Sequence, residues 1–333
     1  MAGYSIEVGL LLHTRHLIRE DRPSHAVGEL WATAQDAEAA GFDHLWLGDS
    51  PRISLLDRAH ADCLTIMAAL AAKTNKIRIG TVPLIAGLRN PVLLAHTLAT
   101  LDVISSGRLL FGVSVAPQYK FAEYEFEACG VPFKQRAGRL EETIRVMRRL
   151  WTEEKFLFEG KYYRFREIGI QPKPVQRPIP IWIAAGDNEN ALKRVARLGD
   201  GWFTVAPTLE KFAARRKKIE LFARATGRDA KNIPSALFAT FHLHEDARKA
   251  EEEGWALAES YYRQPRAQLA HLSPFFDSPE ACARKLQGYA DAGLTSVVAR
   301  FVSPDVAGQT RLLLNEVRTR LTPRVSVPSS RDE

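Results

Sequence analysis

Apolar and polar positions along this chain alternate between two rhythms. Short, almost continuously apolar runs lie at residues 6–12, 42–48, 77–83 and 108–115. Between them stand longer stretches in which apolar residues recur every three or four positions. The short runs predict buried strands, and the 3.6-residue period between them predicts helices. Parallel strands need long crossovers, which the helical stretches supply. Local punctuation agrees: Pro23-Ser24 opens the first helix and Gly41 stops it, Asn90-Pro91 opens the third, and Ser105-Ser106-Gly107 turns the chain into the fourth strand.

The rhythm continues to the C-terminus. Leu140, Ile144, Met147 and Trp151 form a core-facing stripe on a fourth helix. Residues 156–178 alternate aromatic and polar side chains around Glu159-Gly160, which predicts a hairpin and then a proline-rich connector. Further strands are expected at 181–184, 201–205, 236–243 and 295–301, with helices at 187–198, 208–226 and 305–321. Eight strands alternating with eight helices predict an α/β fold of the (β/α)8 TIM-barrel class. An open doubly wound sheet is the competitor, but Leu10-Leu11-Leu12-His13-Thr14 lacks the glycine-rich turn such sheets carry after their first strand. The expected organisation is one domain over 1–322. Its insertions lie at about 116–135 and 156–178 after strand four and about 250–276 after strand seven, and residues 323–333 are a frayed tail.

At 333 residues with 46% hydrophobic content, the chain can bury a large core. Its first apolar run follows no basic leader and is too short to span a bilayer, so a cytoplasmic protein without a membrane partner is expected. Cys63, Cys129 and Cys282 have no C-x-x-C spacing, which argues against disulfides and against a metal site. The net charge of +7 is dispersed, and its densest run, residues 211–218, lies on a helical pattern. No nucleic-acid module accompanies it, so nucleic acid is not an expected partner; the positive balance favours anionic ligands such as a phosphorylated cofactor.

In a barrel, the candidate chemistry is found among residues that end strands. Pro83 interrupts a run that otherwise reads as a central strand. It marks a strand end or bulge, and the Val82-Pro83 bond is expected to be cis. Gly112 and Ser114 share one side of strand four, where small residues let a planar ring approach. Ala185-Gly186-Asp187-Asn188-Glu189-Asn190 opens a helix whose free amides suit a phosphate, with Asp187 as a simple cap the plainer alternative. His13, and His242 with His244, end strands one and seven; Tyr119 lies on the excursion after strand four. These are the candidate proton donors and acceptors, with His13, His242 and Tyr119 the catalytic choices.

The segments AEAAGFDHLWLGDS, LTIMAALAAKTNKIRIGT, RNPVLLAHTLATLDVISSGRLLFGV, RAGRLEETIRVMRRLW, PIPIWIAAGDNENALKRVARLGDGWF and AGLTSVVARF, in that order, resemble the bacterial luciferase-like superfamily of flavin- and deazaflavin-dependent oxidoreductases. The resemblance implies a cofactor ring in the barrel mouth. Its supports would be Asp49, the Val82-Pro83 backbone, Gly112 and Ser114, and its phosphate would lie near Gly186, Asp187 and Asn190. Two positions depart from the pattern: Val115 stands where FMN-binding luciferases have an arginine, and Ser50 where relatives commonly have a histidine. The implied function is a monooxygenase that uses reduced FMN from a separate flavin reductase, with dioxygen, on a small organic substrate. Coenzyme F420-dependent hydride transfer is the alternative, and a non-catalytic flavin-binding barrel is a third reading. A homodimer is common in such families.

Overall fold

A computed structural model describes residues 6–14, 23–49, 60–206, 208–269 and 271–322. Its strands are β1 (Glu7–Leu12), β2 (His44–Leu47), β3 (Arg78–Thr81), β4 (Leu109–Val113), β5 (Phe156–Glu159), β6 (Arg164–Ile168), β7 (Ile181–Ala184), β8 (Gly201–Thr204), β9 (Ser235–Leu243), β10 (Pro274–Asp277) and β11 (Ser296–Phe301). Its helices are α1 (Pro23–Ala40), α2 (Cys63–Lys73), α3 (Pro91–Ile104), α4 (Lys120–Ala128), α5 (Arg136–Thr152), α6 (Glu189–Leu198), α7 (Leu209–Ala225), α8 (Ala247–Tyr262), α9 (Pro279–Asp291) and α10 (Val306–Arg311).

Strands β1, β2, β3, β4, β7, β8, β9 and β11 pair in parallel and close on themselves, which makes the fold a TIM barrel. The antiparallel hairpin β5–β6 stands apart from the barrel, where the aromatic alternation predicts it. Polar caps set the helix starts. Asp62 accepts from the Thr65 amide, Asn90 from Val92 and Leu93, and Ser278 from Ala281, each satisfying an end amide the helix cannot pair itself.

One strand was not expected. β10 begins within the expected 250–276 insertion, ends at Asp277 just past it, and pairs in parallel with the upper part of β9, at Thr240 to Leu243. The lower part of the same β9 edge, Ser235 to Leu237, pairs with β8. A four-residue apolar run among insertion sequence carries too little period to be read as a strand.

The barrel interior is filled at its foot by two tryptophans, each set against a glycine. In the β2–β3 register Trp46 lies beside Gly80, and a Cβ on Gly80 would come within 2.2 Å of the indole. Trp182 lies beside Gly201 in the same manner, with a Cβ clearance of 2.2 Å. Phe203 meets Trp46 edge-on at 4.8 Å between centroids, and this cluster plugs the barrel. Below it, His44 is almost fully buried. The Trp46 indole N–H donates to His44 Nδ1 at 3.2 Å, so the imidazole proton sits on Nε2, 3.0 Å from Glu7 Oε2. Burial pushes the His44 pKa down despite its Glu7 partner, so the ring is kept neutral.

Candidate active site at the barrel mouth

Above the plug the strands open into a cavity of about 270 Å³. Its apolar wall includes Leu11, Val82, Val205 and Phe238, and its polar groups come from three directions. His13, just past β1, places Nδ1 3.2 Å from the Tyr261 hydroxyl. His60 places Nδ1 3.2 Å from Thr14 Oγ1. Arg300 on β11 contacts the hydroxyls of Thr240 and Tyr262. A larger groove of about 1030 Å³ runs outside the barrel between α1 and α10. The smaller cavity is the better candidate, because polar side chains from several strand ends converge on it.

The backbone is irregular where Pro83 predicts it. The amides of Arg78 and Val82 donate to β2 carbonyls, at Asp43 and Leu47, while that of Ile79 donates to Arg108 on the β4 side. Strict alternation would send the Leu84 amide toward β2. It donates instead to Gly112 of β4 at 2.7 Å, so one extra residue has been absorbed at Val82-Pro83. Proline fits there because the bulged residue needs no donor. The expected cis bond is corrected: the cis peptides among the described residues are Gln171-Pro172 and Arg177-Pro178. A bulge already provides the change of direction with a trans bond.

Asp49 ends β2, but its carboxylate is taken up by protein. Oδ2 accepts from Arg89 Nη1 at 2.9 Å and the Ile85 amide at 3.1 Å, and Oδ1 accepts from Arg89 Nη2 at 2.9 Å. Burial opposes the Arg89 charge, yet the Asp49 hydrogen bonds and charge outweigh it and raise the guanidinium pKa. Burial first, and then the Asp49 carboxylate, push the Cys63 thiol well up, so that thiol stays protonated beside the pair. Asp49 thus ties the segment after the bulge to the end of β2, leaving no free oxygen for a ring.

Gly112 is also spoken for. A Cβ there would lie 2.0 Å from the Thr81 carbonyl and 2.8 Å from Phe203, so its smallness admits the neighbouring strand and the aromatic plug. Ser114 follows β4; its Oγ accepts from the amide of Ala116, which has a φ of 75°. A non-glycine residue in that region is strained, and it lies at the strand's mouth end.

His242 is buried, with Nε2 3.1 Å from Glu253 on α8 and, among the described residues, no partner for Nδ1. It is not on the cavity wall. His244 lies beyond the end of β9, where its Nδ1 accepts from the Asp246 amide at 2.9 Å. Tyr119 is 59% exposed, tilted against Phe121 at 5.5 Å just before α4, and is not among the residues lining the cavity. Of the three catalytic choices, only His13 lines the mouth.

Past β7, Gly186 has open space around it. Asn188, not Asp187, caps α6. Asp187 is held by Arg215 at 2.8 Å, whose hydrogen bond and charge lower the carboxyl pKa. Arg215 is itself buried and bonds Thr204 and the Val205 carbonyl. Asn190 faces outward, in a groove with Lys193 and Arg194. Ser50 lies outside the described residues.

Sequence reasoning missed His60, Tyr261, Tyr262, Arg215 and Arg300. Arg300 carried a usable signal: a charge inside the apolar run SVVARF, two residues from inward-facing Val298. Arg215 was hidden in a basic helical run. His60 follows a loop, where no period assigns a direction.

A sequence model of luciferase-like monooxygenases matches residues 6–296. The chain belongs to that family. It is 29% identical over 299 residues to an F420-dependent glucose-6-phosphate dehydrogenase of Kineococcus radiotolerans, covering 82% of this chain and 87% of the relative. It is 32% identical over 235 residues to an FMNH(2)-dependent dimethylsulfone monooxygenase of Pseudomonas putida, covering 69% and 62%. The crystal structure of the monooxygenase RslO1 from Streptomyces bottropensis superposes with a TM-score of 0.78 at 22% identity, covering 94% of this chain and 98% of that one. This luciferase-like family thus contains both F420-dependent and FMNH(2)-dependent relatives of the chain.

Proposed function

We propose that this chain is a monooxygenase that holds reduced FMN in the barrel mouth and directs it, with dioxygen, at a small organic substrate. The observation that carries the reading is the bulge at Val82-Pro83, which forms one wall of an apolar cavity whose polar groups include His13 and His60. The residues fit such a group. A flat ring suits the apolar wall of Leu11, Val82 and Phe238, and the open loop at Gly186, beside the α6 amides and Arg215, suits a phosphate. A bound flavin supplies the electrons and the oxygen chemistry; the protein supplies position and exclusion of water. His13 and His60 line the cavity with Nδ1 of each near a hydroxyl, and an imidazole so placed can hold or move a proton at the mouth. A separate reductase would deliver the reduced flavin.

A second reading, hydride transfer with F420, is favoured by Val115 in place of the arginine and by the identity to an F420-dependent relative over 82% of the chain. Anaerobic titration with reduced FMN and with F420, followed by admission of air, separates the two. Reduced FMN binding with oxygen-dependent product supports the monooxygenase. F420 binding with oxygen-independent turnover supports the second reading, and binding without turnover supports a non-catalytic barrel. Binding of neither overturns all three. In whichever reaction is found, His60→Ala is expected to lower kcat about 100-fold or more, as loss of a proton-transferring group does.

A further inference from the structure

We propose that Asp187 is a built-in stand-in for the cofactor phosphate: its carboxylate sits on the edge of Arg215 that a phosphate would take, and a bound phosphate displaces it. This deepens the function proposed above, and rests on it for the group bound at Gly186. Arg215 lies on α7 and is only 6% exposed, so its direction is fixed. Its Nη1 donates to Thr204 Oγ1 at 2.9 Å and to the Val205 carbonyl at 2.6 Å, which anchors the guanidinium at the end of β8. Val205 also lines the mouth cavity, so the two places share a wall. These bonds leave the edge formed by Nε and Nη2, whose two parallel donors match two oxygens of one oxyanion. Asp187 holds that edge at one point. Nε donates to its Oδ1 at 2.8 Å, and no hydrogen bond among the described residues engages Nη2. An aspartate at a helix start would ordinarily cap it, but Asn188 caps α6 and Asp187 is left to Arg215.

Displacement is cheap. The Asp187 side chain is 72% exposed, so its ion pair is a weak one and its return to water costs little. The field it leaves behind stays positive: Lys211 and Lys218 stand on the same face of α7 as Arg215, four residues before it and three after, and their charges reach Asp187. Glu189, the next carboxylate along the chain, is tied to Lys193 at 2.6 Å instead. The basic run of α7 therefore turns one charged face toward the loop after β7, where the α6 amides add the positive end of a helix. A phosphate brings more charge and more oxygens than a carboxylate and can engage both Nε and Nη2. Asp187 competes for the same edge and loosens the hold on phosphate, which suits a flavin delivered by a separate reductase and returned to it.

The test is anaerobic calorimetric titration of the full chain with reduced FMN and with reduced riboflavin, which differ only in the phosphate, in wild type, Asp187→Asn and Glu189→Gln. Both substitutions lie at exposed side chains, and circular dichroism checks that each variant folds. Asp187→Asn is expected to tighten reduced FMN by about 3- to 10-fold and to leave riboflavin unchanged, while Glu189→Gln changes FMN binding by less than about 2-fold. Unchanged or weaker FMN binding in Asp187→Asn overturns the proposal. So does an equal gain for riboflavin, or an equal gain from Glu189→Gln, which would make the effect one of net charge alone. If the chain binds F420 and not FMN, the monooxygenase reading fails and the same comparison is made with F420: tighter binding by Asp187→Asn supports the stand-in, and unchanged binding overturns it. If neither cofactor binds, the oxidoreductase reading fails, and thermal unfolding with inorganic phosphate decides. Greater stabilisation of Asp187→Asn than of wild type then supports the stand-in, and equal or absent stabilisation overturns it.

Discussion

At the foot of the barrel, Trp46 lies on Gly80 and Trp182 on Gly201, and the neutral His44 has both ring nitrogens engaged. Two residues further along β2 and β3, at the mouth, Gly48 and Val82 face an open cavity with Arg300 across it. The same strands therefore serve two ends under different rules. The foot pairs large with absent side chains until no space remains, and stability comes from contact. The mouth leaves space and keeps a buried guanidinium, held there by hydroxyls of Thr240 and Tyr262. The difference teaches that close packing at one end is what permits polarity at the other.

The largest test of that division is Trp46→Ala. It should cost about 3–5 kcal/mol by opening a cavity in the plug, seen as a lower midpoint in denaturant unfolding. A small loss would mean that the foot can collapse and is not tightly fixed. Next comes Asp49→Asn, which removes the charge holding Arg89 and should cost about 1.5–3 kcal/mol. If it lowers cofactor affinity while stability is unchanged, Asp49 belongs to the mouth instead.

The smallest effect is pH-dependent. His44 has a folded pKa below its unfolded value of about 6.5, so between the two the unfolded chain binds the extra proton. Its contribution is complete above about pH 6.5 and is lost as pH falls, by at most about 1.4 kcal/mol per unit. Burial pushes the Glu7 pKa up, but hydrogen bonds from the His44 and Arg78 side chains and the Arg78 charge outweigh it and lower it, so Glu7 acts in a separate window below about pH 4.5. Unfolding of wild type and His44→Gln between pH 5 and 7 checks this, and equal slopes would show that His44 is not held neutral.

The barrel was legible because strand and helix periods repeat, and the bulge because a proline in an apolar run has few places to go. The site was harder to read, since a glycine signals close approach without saying what approaches. At Gly112 the groups that a Cβ would meet are Thr81 and Phe203. Asp49 reads in the sequence as a cofactor contact or as a helix-capping or turn residue, and no sequence rule announces its partner Arg89, 40 residues away. Loop residues such as His60 have no period, so no sequence rule points them inward.

The split edge of β9 has a practical consequence. Because β8 pairs with its lower part and β10 with its upper part, the unit running through α8 to β10 adds to the cylinder without closing it. That unit carries Tyr261, Tyr262 and Ser273 of the rim. It is a collar built into the cylinder rather than laid on it: Ser273 Oγ accepts from the Ala206 amide and Phe275 stacks on Phe241 at 4.7 Å between centroids, so a change at the rim is felt in the wall beneath.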